Sequence, residues 1–244
     1  MKTLFIITGA SKGIGKGLAE KALADKNNTV IGISRSHSID HNHYIPKTFD
    51  LTHVETLAHD FEKILTDFET YERIVLFNNA GSLGDVAHIG SIDNASIAAL
   101  MNLNVTAPLT LMNTFMAKLK KFKGEKVIIN ISSGAGKSPV DGWSGYCASK
   151  AALDMATQVA FEENKIDGNH FYIFSIAPGV VDSEMQAHIR NSDEKDFSKR
   201  KKFIDLKANN ELSSPAEVAE KYFYVLNNLN NFNEPLLDVR NIDL

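Results

Sequence analysis

The chain has 244 residues and a formal charge of −4, with 43% hydrophobic and 23% charged side chains. That size suits one α/β domain with a substantial core, and the acidic balance excludes a global basic field for holding nucleic acid. No uninterrupted 18-residue apolar run is present to span a membrane, and a single cysteine, Cys147, excludes an intramolecular disulfide framework.

The N-terminal apolar run is broken by Thr8 and Gly9, too early for a signal peptide, so the expected location is the cytoplasm. In chain order, strands are expected over Thr3–Thr8, Thr29–Ser34, Tyr44–Asp50, Arg73–Asn78, Lys126–Ser132, Phe171–Ala177 and Leu236–Arg240. Helical patterns between them cover Gly13–Asp25, Val54–Phe68, Asp93–Lys120, Tyr146–Asn164 and Pro215–Asn227. The runs "RIVLF" and "KVIINI" lack polar alternation, as strands buried on both faces do. The repeated β-α-β order predicts a single α/β domain over 1–244, a doubly wound parallel sheet of about seven strands with helices on both faces. The segment 183–214 is polar and rich in Lys and Asp, and reads as a substrate lid or mobile surface loop. "NNLNNFN" reads as a solvated loop.

"GASKGIG" at 9–15 joins the first strand to the first helix. A helix N-terminus offers free N–H groups and partial positive charge to an anion. The bare backbone at Gly9, Gly13 and Gly15 leaves room for a diphosphate to approach. The second strand ends in Ser34 and Arg35 with no acid to grip ribose hydroxyls. Ser11, Lys12 and Arg35 can converge on one phosphate, so the expected cofactor is NADP(H). Asp50 has two readings, a partner for the adenine amino group or a strand-end turn residue.

Tyr146 and Lys150 stand at i and i+4 of one helix and share a face. An ammonium beside a phenol favours phenolate, and a drop of about 2–3 pH units, supplied jointly by the lysine and a neighbouring nicotinamide cation, would bring the tyrosine into the neutral range. Ser133, thirteen residues before Tyr146, lies at a strand C-terminal end, where open α/β sheets form their ligand crevice. It can hold a carbonyl oxygen; Ser132 is the competing candidate. Pro108 has no N–H for the carbonyl of Asn104, which predicts a kink and an acceptor for a water.

Together, "TGASKGIG", "NNAG" at 78–81, Asn104, "ISSGAG", "YCASK" and "APGVVDSEM" resemble the short-chain dehydrogenase/reductase family over essentially the whole chain. The resemblance implies a Rossmann fold and a catalytic set of Asn104, Ser133, Tyr146 and Lys150. Tyr146 would be the general acid, Ser133 would orient the carbonyl, Lys150 would bind the nicotinamide ribose, and Asn104 would hold a relay water. It also implies cofactor contacts at Gly9, Ser11, Lys12, Gly13, Ile14, Gly15, Arg35, Asp50 and Leu51. Further contacts would come from Asn79, Ala80, Gly81, Pro178, Gly179, Val181 and Ser183, the last standing where the family usually has Thr. Within the family the chain is most similar to sepiapterin reductase-like and bacterial benzil reductase-like members. The implied activity is NADPH-dependent reduction of a small, aromatic or pterin-like ketone or diketone. The implied assembly is a homodimer or homotetramer, with no nucleic-acid or membrane partner. A different class, a non-catalytic NADP(H)-sensing protein on the same fold, would be marked by a missing Tyr or Lys.

Other residues read more plainly. His37, His41 and His43 lack regular ligand spacing, so a solvated loop is expected and no metal. Asp238 reads as a strand-end residue in preference to a substrate anchor, and Cys147 as a small packing residue. Trp143 suits a pocket wall and the core equally. "KRKK" at 199–202 reads as a wet face.

Overall fold

Six consecutive buried residues form strand β1 (Thr3–Thr8) at the middle of the sheet. The computed structural model describes residues 1–243, so Leu244 of the expected domain lies outside the described residues. β1 pairs in parallel with β2 (Thr29–Ser34) on one side and β4 (Arg73–Asn78) on the other. Adding β3 (Tyr44–Thr48), β5 (Glu125–Ile131), β6 (Phe171–Ala177) and β7 (Leu236–Asp238) gives the order β3-β2-β1-β4-β5-β6-β7, all parallel. The single-domain doubly wound Rossmann fold is as expected.

Side chains alternate across the sheet with the strand period of two. Phe5 and Ile7 enter one apolar core with α1 (Gly13–Leu23) and α8 (Pro215–Asn227); Leu4 and Ile6 enter the other. That second face is covered by α2 (Leu57–Glu62), α4 (Ala107–Lys118) and α5 (Ser144–Ile166). The start of α8 is fixed by Ser214 and Glu217, which cap each other's backbone N–H, and by Pro215 in the first turn.

Four strands match the expected bounds, and the differences elsewhere have local causes. β3 stops at Thr48, before Asp50. β7 stops at Asp238, whose carboxylate accepts the Arg240 N–H and starts a 3-10 turn. α2 covers only the middle of Val54–Phe68: Leu57 and Phe61 are its buried residues, and the chain leaves helical geometry by Asp67 at φ +52°. The helix expected over Asp93–Lys120 is α3 (Asn94–Met101) and α4 joined by a π turn at Asn102–Thr106. By length and composition alone this helix could cross a bilayer, but it is integral to the fold, with Leu111 and Phe115 in the core.

The largest departure lies in 183–214. It contains α6 (Glu184–Arg190), capped by the Ser183 hydroxyl, and α7 (Arg200–Ala208) instead of an irregular loop. Ile189 and Phe197 are buried in a third apolar cluster with Trp143 and Tyr146.

β1 leads outward to β2 and β3, and the chain then crosses to β4 on the other flank. The strand order therefore reverses beside β1, which opens a crevice at the strand C-terminal ends.

Candidate active site

Gly9 and Gly13 both have positive φ, +67° and +54°, where a Cβ is strained. Their surroundings differ. A Cβ on Gly9 would meet the Asn79 side-chain amide at 2.9 Å, and one on Gly15 would strike the Gly9 carbonyl and the same amide. Around Gly13 the nearest such atom is the Ser183 Cβ at 3.9 Å. Gly9 and Gly13 line the cleft as expected, and Gly15 does not. Gly13 faces open space, whereas Gly9 and Gly15 let the loop close onto residues 78–81. Gly15 is set back from the cleft that the other expected cofactor residues line. Thr8 locks this packing: its Oγ1 accepts the N–H groups of Asn79 and Ala80, both at 2.9 Å, while Asn79 Nδ2 donates to the Thr8 and Gly9 carbonyls at 2.8 and 3.2 Å.

The cleft holds about 810 Å³. Lys12, Arg35, Ser36 and Ser38 line its β2 end. Lys12 is ion-paired across the cleft with Glu184, the first residue of α6. His37 lines the same end. Contrary to the solvated loop expected, its ring is half-buried, 3.2 Å from the Tyr44 hydroxyl and 3.3 Å from Thr48 Oγ1. His41 and His43 are exposed, and no metal-binding cluster occurs among the described residues. Asp50 accepts the backbone N–H and hydroxyl of Thr52 at 3.0 and 2.7 Å, the turn geometry of its plainer reading. Those bonds hold its carboxyl below the ordinary range, and both Asp50 and Leu51 line the cleft.

Ser133, Tyr146 and Lys150 all line the same cleft. Ser133 follows β5 and is fixed by the Ala135 N–H, which donates to its Oγ at 3.2 Å. Tyr146 and Lys150 lie one turn apart on α5, with the Lys150 ammonium 5.8 Å from the phenol ring centre. The ammonium donates to the Ile131 carbonyl at 2.8 Å. Burial lowers the Lys150 pKa to about 8, partly offset by the charge of Asp154. Within the protein alone burial raises the Tyr146 pKa, and the Ser133 side chain beside it opposes that rise. Asn104 lies behind the cleft at the π turn, 1% exposed. Its amide bonds Ser82 at both backbone groups and Ser149 Oγ at 3.1 Å. The irregularity expected from Pro108 is thus a π turn placing Asn104 beside Gly81.

An aromatic wall closes the end of the cleft beside α6 and α7. Trp143 is 6% exposed, stacks on Phe197 at 5.0 Å and stands edge-on to Tyr146 at 5.8 Å. It is both pocket wall and core. Met185, Ile189 and Phe203 of α6 and α7 also line the cleft. The sequence reading passed over them; Met185 and Ile189, four apart, were the available signal. Lys199 and Lys202 of the "wet face" reach the same rim. Asp238 is paired with Arg240 instead of lining the cleft, as its strand-end reading expected. Cys147 packs against the aromatic cluster.

A profile described as short chain dehydrogenase matches residues 3–194. The chain is a short-chain dehydrogenase/reductase. It is 38% identical over 219 residues to "Benzil reductase ((S)-benzoin forming)" of Bacillus subtilis, covering 88% of this chain and 90% of that protein. It is 29% identical to sepiapterin reductase of Bos taurus over 93% and 90% of the two chains. The solved structure described as ElxO with NADP bound superposes with TM-score 0.77 at 26% identity, over 98% of this chain and 97% of that one. Short-chain dehydrogenases use NAD(P)(H) and small-molecule substrates, and they are commonly oligomeric. The cleft of this short-chain dehydrogenase suits such a dinucleotide: Gly13 is open at the N-terminus of α1, and cationic side chains stand at the β2 end.

Proposed function

We propose that this short-chain dehydrogenase is an NADPH-dependent carbonyl reductase acting on small aromatic or pterin-like ketones and diketones. The observation that carries the reading is the meeting of Ser133, Tyr146 and Lys150 under the Trp143 wall, in a cleft whose far end holds Lys12 and Arg35. Arg35, Lys12 and Ser11 would take the 2′-phosphate, and the first turn of α1 the diphosphate. Asn79, Ala80 and Gly81 would approach the adenosine ribose, and Pro178, Gly179, Val181 and Ser183 would line the nicotinamide. When bound, the dinucleotide supplies the hydride that reaches the carbonyl carbon.

The chain supplies geometry and proton flow. Tyr146 Oη donates its proton to the carbonyl oxygen as negative charge develops there, and Ser133 Oγ–H hydrogen-bonds the same oxygen. Burial keeps Tyr146 protonated and ready as an acid near neutral pH. The Lys150 ammonium, anchored on Ile131, lowers the cost of the phenolate left behind. The segment 183–214 acts as the substrate lid, with Phe197 and Phe203 against Trp143. The similarity to benzil and sepiapterin reductases supports an aromatic dicarbonyl or pterin as substrate.

Met155 and Val159, exposed at 60% and 47% on α5, support pairing of this helix across a two-fold in a homodimer or homotetramer. The free Cys147 is compatible with the cytoplasm. Oxidation of NADPH and of NADH is followed by absorbance with a panel of aromatic diketones, pterins and quinones. Faster turnover with NADPH on at least one diketone or pterin is expected. Tight NADPH binding with no oxidation by any of them would overturn the reading in favour of a sensor.

A further inference from the structure

Asp154 is a buried acid that the mechanism above leaves unused. It is 5% exposed and lies on α5 four residues after Lys150 and eight after Tyr146, on the same helix face. Its Oδ1 accepts two hydroxyls, Ser132 Oγ and Ser175 Oγ, each at 2.6 Å. These lengths fall in the range of hydrogen bonds between a hydroxyl and an ionised carboxylate. Ser132 directly precedes Ser133, and its N–H donates to the Ile176 carbonyl at 2.9 Å. The carboxylate therefore ties α5, which carries the acid and the lysine, to the ends of β5 and β6.

A buried anion is costly unless a cation faces it. The elements packed on α5 offer few. α3, the π turn and the turn at Gly134–Gly136 contain no titratable side chain. α4 has only Lys118, at its far end. β5 carries Glu125 and Lys126, and β6 carries Tyr172, at the ends away from the site. On α5 itself Lys150 and Tyr146 share its face, as do the thiol Cys147 one residue from Tyr146 and Lys165, three turns on at the far end of the helix and exposed; Lys150 is the buried cation among them.

We propose that Asp154 is a positioning residue for the reaction: its charge balances the Lys150 ammonium inside the fold while its two serine bonds fix the strand end that presents Ser133. The inference rests on the reductase reading for its kinetic consequence but not for its electrostatic one. Asp154→Asn keeps an acceptor for both serines and removes the charge. Asp154→Leu removes both with similar volume. Ser175→Ala loses one hydroxyl and keeps the charge.

The test titrates the Lys150 Cε resonance by NMR, assigned by its loss in Lys150→Met, and measures kcat/KM for NADPH oxidation against pH. In Asp154→Asn, and in Asp154→Leu should the first not fold, the Lys150 midpoint and the basic limb both move down by about one pH unit. Ser175→Ala leaves both in place. An unmoved Lys150 midpoint in a folded charge-removing variant overturns the proposal and reduces Asp154 to a structural tie. A wild-type enzyme that oxidises no NADPH sinks the reductase reading alone, because the NMR titration still decides on Asp154.

Discussion

Asn104 and Ser82 are bound together at both ends of the amide: the Ser82 N–H donates to Asn104 Oδ1 at 2.9 Å, and Asn104 Nδ2 donates to the Ser82 carbonyl at 2.8 Å. A side chain here substitutes for a neighbouring strand, because the loop after β4 has none. Asn104→Ala leaves two backbone groups and the Ser149 hydroxyl without these partners, at a cost of about 1–3 kcal/mol. The loop carrying Gly81 loses its support beside Lys150. A lower urea midpoint and a fall in kcat larger than the change in NADPH Kd are expected. Unchanged stability would mean the loop holds itself.

Tyr146→Phe removes the proposed proton donor and keeps the ring edge-on to Trp143. Its expected effect is loss of turnover with NADPH binding retained, measured by steady-state kinetics and by fluorescence titration. Normal turnover would refute the assignment of the acid.

The pH dependence follows from Lys150. Burial holds its pKa down to about 8, whereas burial holds the Tyr146 phenol up. As pH rises, the lysine loses its proton first. Below about 8 the ammonium is present; above it the help it gives to phenolate is lost. The basic limb of kcat/KM for ketone reduction is therefore expected near pH 8. A limb at or above pH 10 would show that the phenol itself, and not the lysine, controls the loss.

Much of this architecture was legible because parallel strands buried on both faces read as runs without polar alternation: "RIVLF" marked β4 at its observed bounds and "KVIINI" marked β5 to within one residue. Side-chain periodicity also placed Tyr146 and Lys150 on one face. Burial was not legible, since it depends on what packs from elsewhere. That is why the desolvation of Tyr146, which raises its pKa within the protein alone, could not be read from its neighbours in the chain. It is also why α6 and α7 went unseen, as α7 has no buried residue and the α6 residues Met185 and Ile189 gain their partner, Trp143, from far earlier in the chain. Gly15 illustrates a subtler gap: a bare position near a ligand loop can serve the loop's own packing.

Arg35 is exposed at the end of β2, on the cleft. Arg35→Asp replaces a fork for a 2′-phosphate with an acid suited to ribose hydroxyls. Hydrogen bonds to charged groups contribute about 1.5–3 kcal/mol, so the NADPH/NADH ratio of kcat/KM is expected to fall roughly 10- to 100-fold. An unchanged ratio would remove Arg35 from the phosphate site.

Lys12 and Glu184 form an ion pair that joins the glycine loop to the first turn of α6. Both side chains are largely exposed, and such pairs contribute about 0.2–1 kcal/mol. If Lys12 serves the 2′-phosphate, the carboxylate competes with that phosphate for one ammonium. Glu184→Gln removes the competitor and a negative charge at the rim. NADPH is then expected to bind up to about fivefold tighter, with NADH affected less, and the gain should shrink as salt is raised. Calorimetric titration of both dinucleotides at two ionic strengths checks this. Weaker NADPH binding in Glu184→Gln would instead mean that the pair closes the lid over the dinucleotide, and that Glu184 acts with the cofactor and not against it.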